Sequence, residues 1–111
     1  MGMLKKIKGV LKSKRILMTP KEDLIGKTSK ETEFLVCDGR RLGDLLELVD
    51  ALDNMNNDIF VYHVNDFRND FSNWIRDVMK KDELADGLSA AKSKDQAQII
   101  VLRYLVKKAL K

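Results

Sequence analysis

The stretch that decides the fold is NDFSNWIRDV, residues 69–78. Its apolar residues recur at spacings of three and four, which places them on one face of a helix. These residues are Phe71, Trp74, Ile75 and Val78. Trp74 is the only tryptophan of the chain, and its register predicts a place in the core. A buried indole N–H requires an acceptor, which we expect the side chain of Asn65 or Asp77 to supply.

The only histidine, His63, lies just before this helix, among asparagine and aspartate side chains. Asp70 is the expected N-cap, because its carboxylate can accept a free backbone N–H of the first turn. A histidine beside carboxylates can act as a general base, yet the candidate nucleophiles, Cys37 and Ser72, lie in no nucleophile motif. We therefore expect a half-buried His63 whose ring N–H holds a loop carbonyl or Asp70. The predicted structural motif comprises His63, Asn65, Asn69, Asp70, Phe71, Trp74 and Asp77.

Upstream, residues 34–37 (FLVC) predict a short strand that ends at the turn Asp38-Gly39. A helix is predicted over residues 42–54 from its apolar spacing. Its expected inner stripe is Leu42, Leu45, Leu46, Val49 and Leu52. Residues 58–65 are ambiguous, since β-branched residues favour a strand whereas Asp58 could cap a helix; we expect a helix. Residues 66–69 are predicted to form a loop, and the polar residues 20–33 a loop or a poorly ordered linker.

Downstream, Asp82 can cap a short helix that turns Leu84, Ala85 and Leu88 inward. Ser93 and Gln96 then match a capping box, which opens a helix to about residue 110. Its expected inner stripe is Ile99, Leu102, Val106 and Leu110. The chain is therefore predicted to be mainly α, a compact bundle of four to five helices with a short β element near residues 34–37.

The spacing of these motifs resembles that of a known family. The matching segments are Asp38-Gly39, His63-Val64-Asn65, Asn69-Asp70-Phe71-x-x-Trp74-Ile75-Arg76-Asp77-Val78 and Asp82-Glu83-Leu84-Ala85. They resemble a family of small domains of archaea and bacteria that has no assigned activity, over about residues 34–105. The resemblance implies a mostly helical fold in a cytoplasmic prokaryotic protein, and it assigns no catalytic role to any residue. We therefore divide the chain into a basic N-terminal extension, residues 1–33, and a helical domain, residues 34–111.

Composition limits the class of protein further. The chain has 111 residues, of which 44% are hydrophobic and 34% are charged, as expected for one modest globular domain. Cys37 is the only cysteine, so no internal disulfide forms and a cytoplasmic location is expected. Charged residues interrupt every window of transmembrane length, so no membrane-spanning segment is expected.

Charge is distributed unevenly along the chain. The net charge is +6 over residues 1–32, −7 over residues 33–90 and +5 over residues 91–111. The basic ends either neutralise the acidic middle or contact an anionic partner. The candidate nucleic-acid-binding residues are Lys5, Lys6, Lys8, Lys12, Lys14, Arg15, Arg103, Lys107, Lys108 and Lys111. Contacts of this kind go to phosphates and weaken steeply with salt.

These observations favour a non-enzymatic binding protein that associates with nucleic acid or a ribonucleoprotein through its basic termini. The alternative is a protein-interaction or regulatory domain that uses the acidic helix 42–54 or the region of His63. A third hypothesis is peripheral membrane binding through Leu4, Ile7, Val10 and Leu11. No cofactor or metal is expected, because zinc-ligand spacings are absent from the sequence. Gly26-Lys27-Thr28 is not a P-loop, since Lys21 stands where that motif requires glycine. The sequence does not specify an oligomeric state.

Overall fold

The computed structural model of the chain describes residues 19–110. Within that range it has six α-helices, a single 3₁₀ turn (Lys30–Thr32) and two antiparallel two-stranded sheets. The helices are α1 (Pro20–Leu24), α2 (Leu45–Asn54), α3 (Asn57–His63), α4 (Asp70–Asp77), α5 (Asp82–Leu88) and α6 (Lys94–Ala109). The strands are β1 (Phe34–Leu35) paired with β2 (Arg41–Leu42), and β3 (Val64–Asn65) paired with β4 (Arg68–Asn69). This confirms a mainly α fold with a short β element near residues 34–37.

The core lies between α2, α4, α5 and α6, with the strongest helix contacts in the pairs α4–α5, α2–α6 and α5–α6. An aromatic cluster occupies one end of it. The ring centroid of Phe34 lies 4.8 Å from that of Phe71 and 5.5 Å from that of Trp74. These separations suit tilted and edge-to-face aromatic pairs. The predicted inner face of α4 is confirmed for Phe71, Trp74 and Ile75, which are buried, while Val78 is partly buried.

Helix α2 begins three residues later than the sequence predicts. Leu42 belongs to β2, where it pairs with Phe34. Asp44 caps α2 and accepts the Glu47 N–H at 2.9 Å. Leu46 is exposed and Leu48 is fully buried, so the predicted inner stripe was wrong at Leu46. Leu42 is buried as predicted, but it lies in a strand and not in the helix. Leucines occupy two overlapping stripes in this segment, and only the β1–β2 hairpin decides which one faces the core.

Residues 57–63 form the expected helix, but its cap is Asn56, whose side chain accepts the Ile59 N–H at 3.0 Å. Asp58 is therefore inside the helix. The prediction of a loop over residues 66–69 was wrong for Arg68 and Asn69, which form β4. The turn between β3 and β4 is closed by the Asn65 side chain, which accepts the Phe67 N–H at 2.9 Å.

The N-cap of α4 is Asn69 and not Asp70. The Asn69 side-chain oxygen accepts the Ser72 N–H at 3.0 Å, and its amide donates to the Leu88 carbonyl at 3.1 Å. Asp70 is the first residue of the helix. This shift by one residue leaves the Asp70 carboxylate available for other partners, described below.

Helix α5 buries Leu84, Ala85 and Leu88 as predicted. Asp82 is its first residue and provides no cap, so that expectation was wrong. Ser93 caps α6 by accepting the Gln96 N–H at 3.1 Å, but Gln96 reaches back to the Lys92 N–H at 2.7 Å. The capping box is therefore not reciprocal on Ser93.

The predicted inner stripe of α6 lies on its outer face. The core-facing residues are Ala97, Val101 and Leu105, whereas Ile99, Leu102, Val106 and Leu110 are exposed by 52, 40, 57 and 80%. The helix carries two apolar stripes, and periodicity selected the one with the larger side chains. The buried stripe begins with Ala97. Its small side chain permits close packing between helices.

Residues 19–33 pack against the helices. Thr19 and Glu22 form a reciprocal capping box on α1, so the prediction of a loop was wrong for Pro20–Leu24. The Ile25 carbonyl accepts the Leu45 N–H at 2.7 Å, and the Thr28 N–H donates to Gly43 at 2.9 Å. Most of the predicted extension, residues 1–18, lies outside the described residues, so the division of the chain at residue 33 stays a prediction.

Candidate functional site

His63 stands at the end of α3 and is only 4% exposed, so it is more buried than expected. Its Nδ1 lies 3.0 Å from the Asp70 carboxylate, and its Nε2 accepts the Cys37 backbone N–H at 3.0 Å. Because Nε2 must be an acceptor, the proton of the neutral ring lies on Nδ1 and is donated to Asp70. His63 thereby joins the β1–β2 turn to α4.

Asp70 also forms an ion pair with Arg68. The Nε of Arg68 lies 3.3 Å from the Asp70 carboxylate, and its guanidinium carbon lies 4.7 Å from the centre of the Tyr62 ring. Arg68 donates a further hydrogen bond to the Tyr62 carbonyl at 2.6 Å. Asp70 is thus shared between a buried imidazole and a partly exposed guanidinium, which fixes the β3–β4 hairpin against α3.

A cavity of about 460 Å³ opens beside this network. Its lining includes His63, Arg68, Tyr62 and the exposed Cys37. Both ring nitrogens of His63 already have partners, so the histidine has no free lone pair with which to activate a nucleophile. Ser72, the second candidate nucleophile, is buried and donates to the Ala85 carbonyl at 2.6 Å. These hydrogen bonds join the β1–β2 turn to α3 and α4, and α4 to α5.

The turn at the rim of this cavity is held by a local ion pair. Arg40 donates its backbone N–H to Asp38 at 3.1 Å, and its guanidinium lies 3.0 Å from the same carboxylate. These two hydrogen bonds lower the pKa of Asp38 below its usual value, the backbone bond contributing most. Both side chains are partly exposed, so the pair fixes the turn and adds little stability.

The acceptor of the Trp74 indole N–H is the Thr32 carbonyl, at 2.9 Å. The expectation of Asn65 or Asp77 was wrong. The Asn65 amide donates to the Val61 carbonyl at 2.9 Å, and Asp77 is exposed at the end of α4. Thr32 lies in the segment before β1, so only the fold brings it to Trp74.

Seven of the ten predicted nucleic-acid-binding residues lie outside the described residues. These are Lys5, Lys6, Lys8, Lys12, Lys14, Arg15 and Lys111. The other three, Arg103, Lys107 and Lys108, are on the C-terminal half of α6. Arg103 and Lys107 are exposed. The Nζ of Lys108 lies 3.3 Å from the Glu83 carboxylate and 5.5 Å from the centre of the Tyr104 ring.

Helix α1 packs against the C-terminal end of α6. A cavity of about 540 Å³ lies between them, lined by Pro20, Lys21, Asp23, Leu24, Lys81, Tyr104, Lys108 and Ala109. We call Lys21, Lys81, Tyr104 and Lys108 the terminal junction. The Nζ of Lys81 lies 5.9 Å from the Tyr104 ring centre, on which Lys108 also converges. Sequence reasoning missed Lys21, Lys81 and Tyr104, because they come from separate segments.

Tyr104 titrates abnormally at this junction. Burial raises the pKa of its phenol, the positive charge of Lys108 lowers it in part, and the carboxylates of Glu83 and Asp23 raise it further. Charges of both signs therefore surround the half-buried ring of Tyr104.

Two other kinds of site receive no support from residues 19–110. Over that range, no group of three or more His, Cys, Asp or Glu side chains is placed to hold a metal ion. None of the helices described there has the length and apolar character needed to cross a bilayer.

The fold and its fully bonded histidine define a small, mainly α-helical domain. The model of DUF5752, a family of unknown function, matches residues 29–111, and the chain belongs to that family. The match begins before the predicted domain start at residue 34 and includes Thr32, the acceptor for Trp74. No curated protein and no solved structure matches the chain.

Proposed function

We propose that the protein is a non-enzymatic binding protein that associates with nucleic acid or a ribonucleoprotein through its basic termini. One observation carries this proposal: α1 packs against the C-terminal end of α6. Thr19, where residues 1–18 join the described part, therefore leads into a helix that lies beside Lys108. The described part of the chain thus begins beside the C-terminal half of α6, which carries Arg103, Lys107 and Lys108.

The charge balance supports the same conclusion. Residues 1–18 carry six Lys and Arg and no Asp or Glu, whereas residues 19–110 carry fourteen basic and seventeen acidic residues. The positive charge of the protein is thus concentrated toward the two ends of the sequence, and Arg103 and Lys107 are exposed on α6. Such a surface would bind the phosphates of a nucleic acid without recognising its base sequence.

The absence of an enzymatic role is part of the proposal. It is supported by the two occupied nitrogens of His63 and by the buried, bonded hydroxyl of Ser72. A cytoplasmic location is proposed from the single cysteine, Cys37, which matches the reducing interior where nucleic acids are found.

Fluorescence anisotropy with labelled single-stranded RNA and duplex DNA tests the proposal. We expect binding at about 50 mM salt that weakens by at least tenfold at about 200 mM. The variant Arg103→Gln/Lys107→Gln should lower the affinity and reduce the salt slope by about two, one for each lost phosphate contact. The matched control Lys30→Gln/Arg41→Gln removes two exposed charges from the β1–β2 region and should leave binding unchanged.

Failure to bind either nucleic acid at low salt would overturn the proposal. An equal loss of affinity in the control variant would show that only net charge matters, and that Arg103 and Lys107 mark no binding surface.

A protein partner is the second candidate, favoured by the outer face of α2. There Leu46 is exposed beside the acidic side chains of Glu47, Asp50 and Asp53. This hypothesis predicts that one protein co-purifies after nuclease treatment and is lost in Leu46→Lys, while Leu35→Lys, at another exposed leucine, retains it.

A further inference from the structure

Helix α6 is apolar on two opposite faces. The inner face begins with Ala97 and is buried, whereas the outer face has large apolar side chains that are exposed. At about 100° per residue, these side chains form one outer stripe along the helix. The residues of the outer stripe are Ile99, Leu102, Val106 and Leu110. A surface helix normally has one apolar face opposed to a polar face, so the outer stripe has the composition of a contact surface.

Cations border the outer stripe on the side of α5. Arg103 and Lys107 are exposed, and both line a cavity that also includes Gly87 of α5. Together with Leu102 and Val106, they line a groove of about 660 Å³ over the stripe. This edge of the stripe is therefore positively charged.

Carboxylates border the outer stripe on the side of α2. The Gln98 amide donates to the Val49 carbonyl of α2 at 3.0 Å and lies 3.4 Å from the Asp53 carboxylate. Leu102 follows Gln98 by four residues, so it lies on the same side of α6. Asp50 and Asp53 are both exposed, which makes this edge of the stripe negatively charged.

We propose that the outer stripe is the interface of a homodimer, in which two copies pack α6 against α6 in parallel around a two-fold axis along the helices. Such an axis turns the cationic edge of one copy onto the acidic edge of the other. A two-fold axis across the helices would instead place like charges opposite each other on both edges. Charge complementarity therefore identifies a second copy as the occupant and also gives its direction.

The residues at the two edges lean toward each other in this arrangement. Lys94 on α6 donates to the Met55 carbonyl, while the next turn of α6 contacts Val49, six residues earlier on α2. The two helices therefore run in opposite directions. Side chains lean toward the N-terminus of their helix, so Arg103 of one copy and Asp50 of the other lean toward the same level of the interface.

The sequence of the outer stripe also favours a parallel pair. Ile99, Leu102 and Val106 are separated by three and four residues, which is the spacing of positions a, d and a in a heptad. In parallel helix pairs, β-branched residues at a and leucine at d favour two strands. The stripe spans less than two heptads, so we expect the dimer to dissociate on dilution.

The inference goes beyond the proposed function and does not rest on it. An exposed ion pair at the rim contributes little affinity, so Arg103 can exchange Asp50 for a phosphate oxygen. Parallel copies place their two Lys107 side chains at the same end of the dimer, where both can contact one nucleic acid. Dimerisation is measured without nucleic acid, so either proposal can fail while the other stands.

Light scattering after size-exclusion chromatography tests dimerisation of the full-length chain, under reducing conditions and over a range of protein concentrations. We expect a dimer whose fraction rises with concentration. Leu102→Asp/Val106→Asp should abolish it, because each carboxylate would be buried against apolar side chains. The matched control Leu35→Asp/Val61→Asp changes a leucine and a valine that are 56 and 46% exposed on other elements, and it should leave the dimer intact.

Charge reversal tests the pairing of the two edges. Arg103→Glu and Asp50→Arg should each weaken the dimer by about fivefold, since each places like charges opposite each other at both rims. The double variant should recover most of the affinity, because opposite charges again face each other. Both side chains are exposed, so circular dichroism should show the same fold in all three variants. Additive weakening would overturn the parallel arrangement.

Disulfide trapping measures the direction independently. On a Cys37→Ser background, which removes the only native thiol, Ile99→Cys and Val106→Cys are oxidised in separate experiments. Parallel copies place each cysteine opposite itself, so both variants should form a covalent dimer, unlike the control Val61→Cys on α3. The two positions are about 10.5 Å apart along α6. In an antiparallel pair, at most one of them could therefore meet the Cα separation limit of about 7 Å for a disulfide.

Three results would overturn the proposal. One is a monomer at every concentration; slow maleimide labelling of Val106→Cys in that monomer would show that another segment of the same chain covers the stripe. Another is a dimer that survives Leu102→Asp/Val106→Asp. The third is a covalent dimer from one of the two cysteine variants and not the other, which would indicate an antiparallel pair.

Discussion

The indole N–H of Trp74 donates a 2.9 Å hydrogen bond to the main-chain carbonyl of Thr32, 42 residues earlier in the chain. The bond joins the segment before β1 to the central helix α4, and the Trp74 ring packs against Phe34 just beyond that segment. One side chain thus fixes two parts of the fold that the sequence alone separates.

Trp74→Ala should lower the free energy of unfolding by about 3–5 kcal/mol, since it leaves a cavity where a large ring is 93% buried. Trp74→Phe keeps a ring but removes the N–H, so it should cost less, with about 1–2 kcal/mol from the unpaired Thr32 carbonyl. Urea denaturation followed by circular dichroism measures both values.

The matched control for Trp74 is Phe67→Ala, which removes an aromatic ring that is 95% exposed. It should change the unfolding free energy by less than about 0.5 kcal/mol. Equal stability of Trp74→Ala and the wild type would show that Trp74 is not part of the core.

His63→Phe should destabilise the fold by about 2–4 kcal/mol. The substitution preserves bulk but deprives the Cys37 N–H of its acceptor and Asp70 of a donor. His63→Gln should retain part of this energy, because its amide can still accept from Cys37. The measurement is the urea midpoint at neutral pH, with Asp66→Asn, an exposed change in the same hairpin, as the control.

If His63→Phe were as stable as the wild type, the two hydrogen bonds would contribute nothing and a functional reason for this histidine would have to be sought. The cavity bounded by Cys37 and Arg68 would then be the place to test for a ligand.

Local sequence signals predicted the helices and strands well, but they predicted the hydrogen-bond partners of individual side chains poorly. Asn69 and Asp70 are both good capping residues, so composition could not decide between them, and only the bond from Asp70 to His63 shows why Asn69 takes the cap. On α6 the outer stripe has the larger apolar side chains, so the apolar spacing indicated that stripe and not the inner face that begins with Ala97. The terminal junction was unpredictable for a different reason: Lys21, Lys81 and Tyr104 meet only through tertiary packing.

Gly26 should be intolerant of substitution. It has φ +70°, which L-residues rarely adopt, and an added Cβ would lie 2.5 Å from the sulfur of Met79. Gly26→Ala should therefore cost about 1–3 kcal/mol from backbone strain, plus the displacement of Met79. Gly39 at φ +100° has no atom within 4 Å of such a Cβ, so Gly39→Ala isolates the backbone contribution.

Thermal unfolding distinguishes the two contributions at Gly26. The double variant Gly26→Ala/Met79→Ala should lose less stability than the sum of its single changes, since the smaller side chain makes room for the new Cβ. Strict additivity would mean that Met79 moves aside at no cost.

Tyr104 should make stability fall at alkaline pH. Burial raises the pKa of its phenol above the ordinary value of 10.0, so the folded state holds the proton more firmly than the unfolded chain. Its contribution is complete below about pH 10 and declines as the pH rises through the folded-state pKa, because the unfolded chain ionises first. The urea midpoint of the wild type should therefore drop more between about pH 9 and pH 11 than that of Tyr104→Phe, which cannot ionise. Tyrosinate absorbance provides the direct check: the component of the titration that Tyr104→Phe removes should lie above the ordinary pKa of 10.0. Removal of a component at or below that value would contradict the assignment and place Tyr104 in solvent.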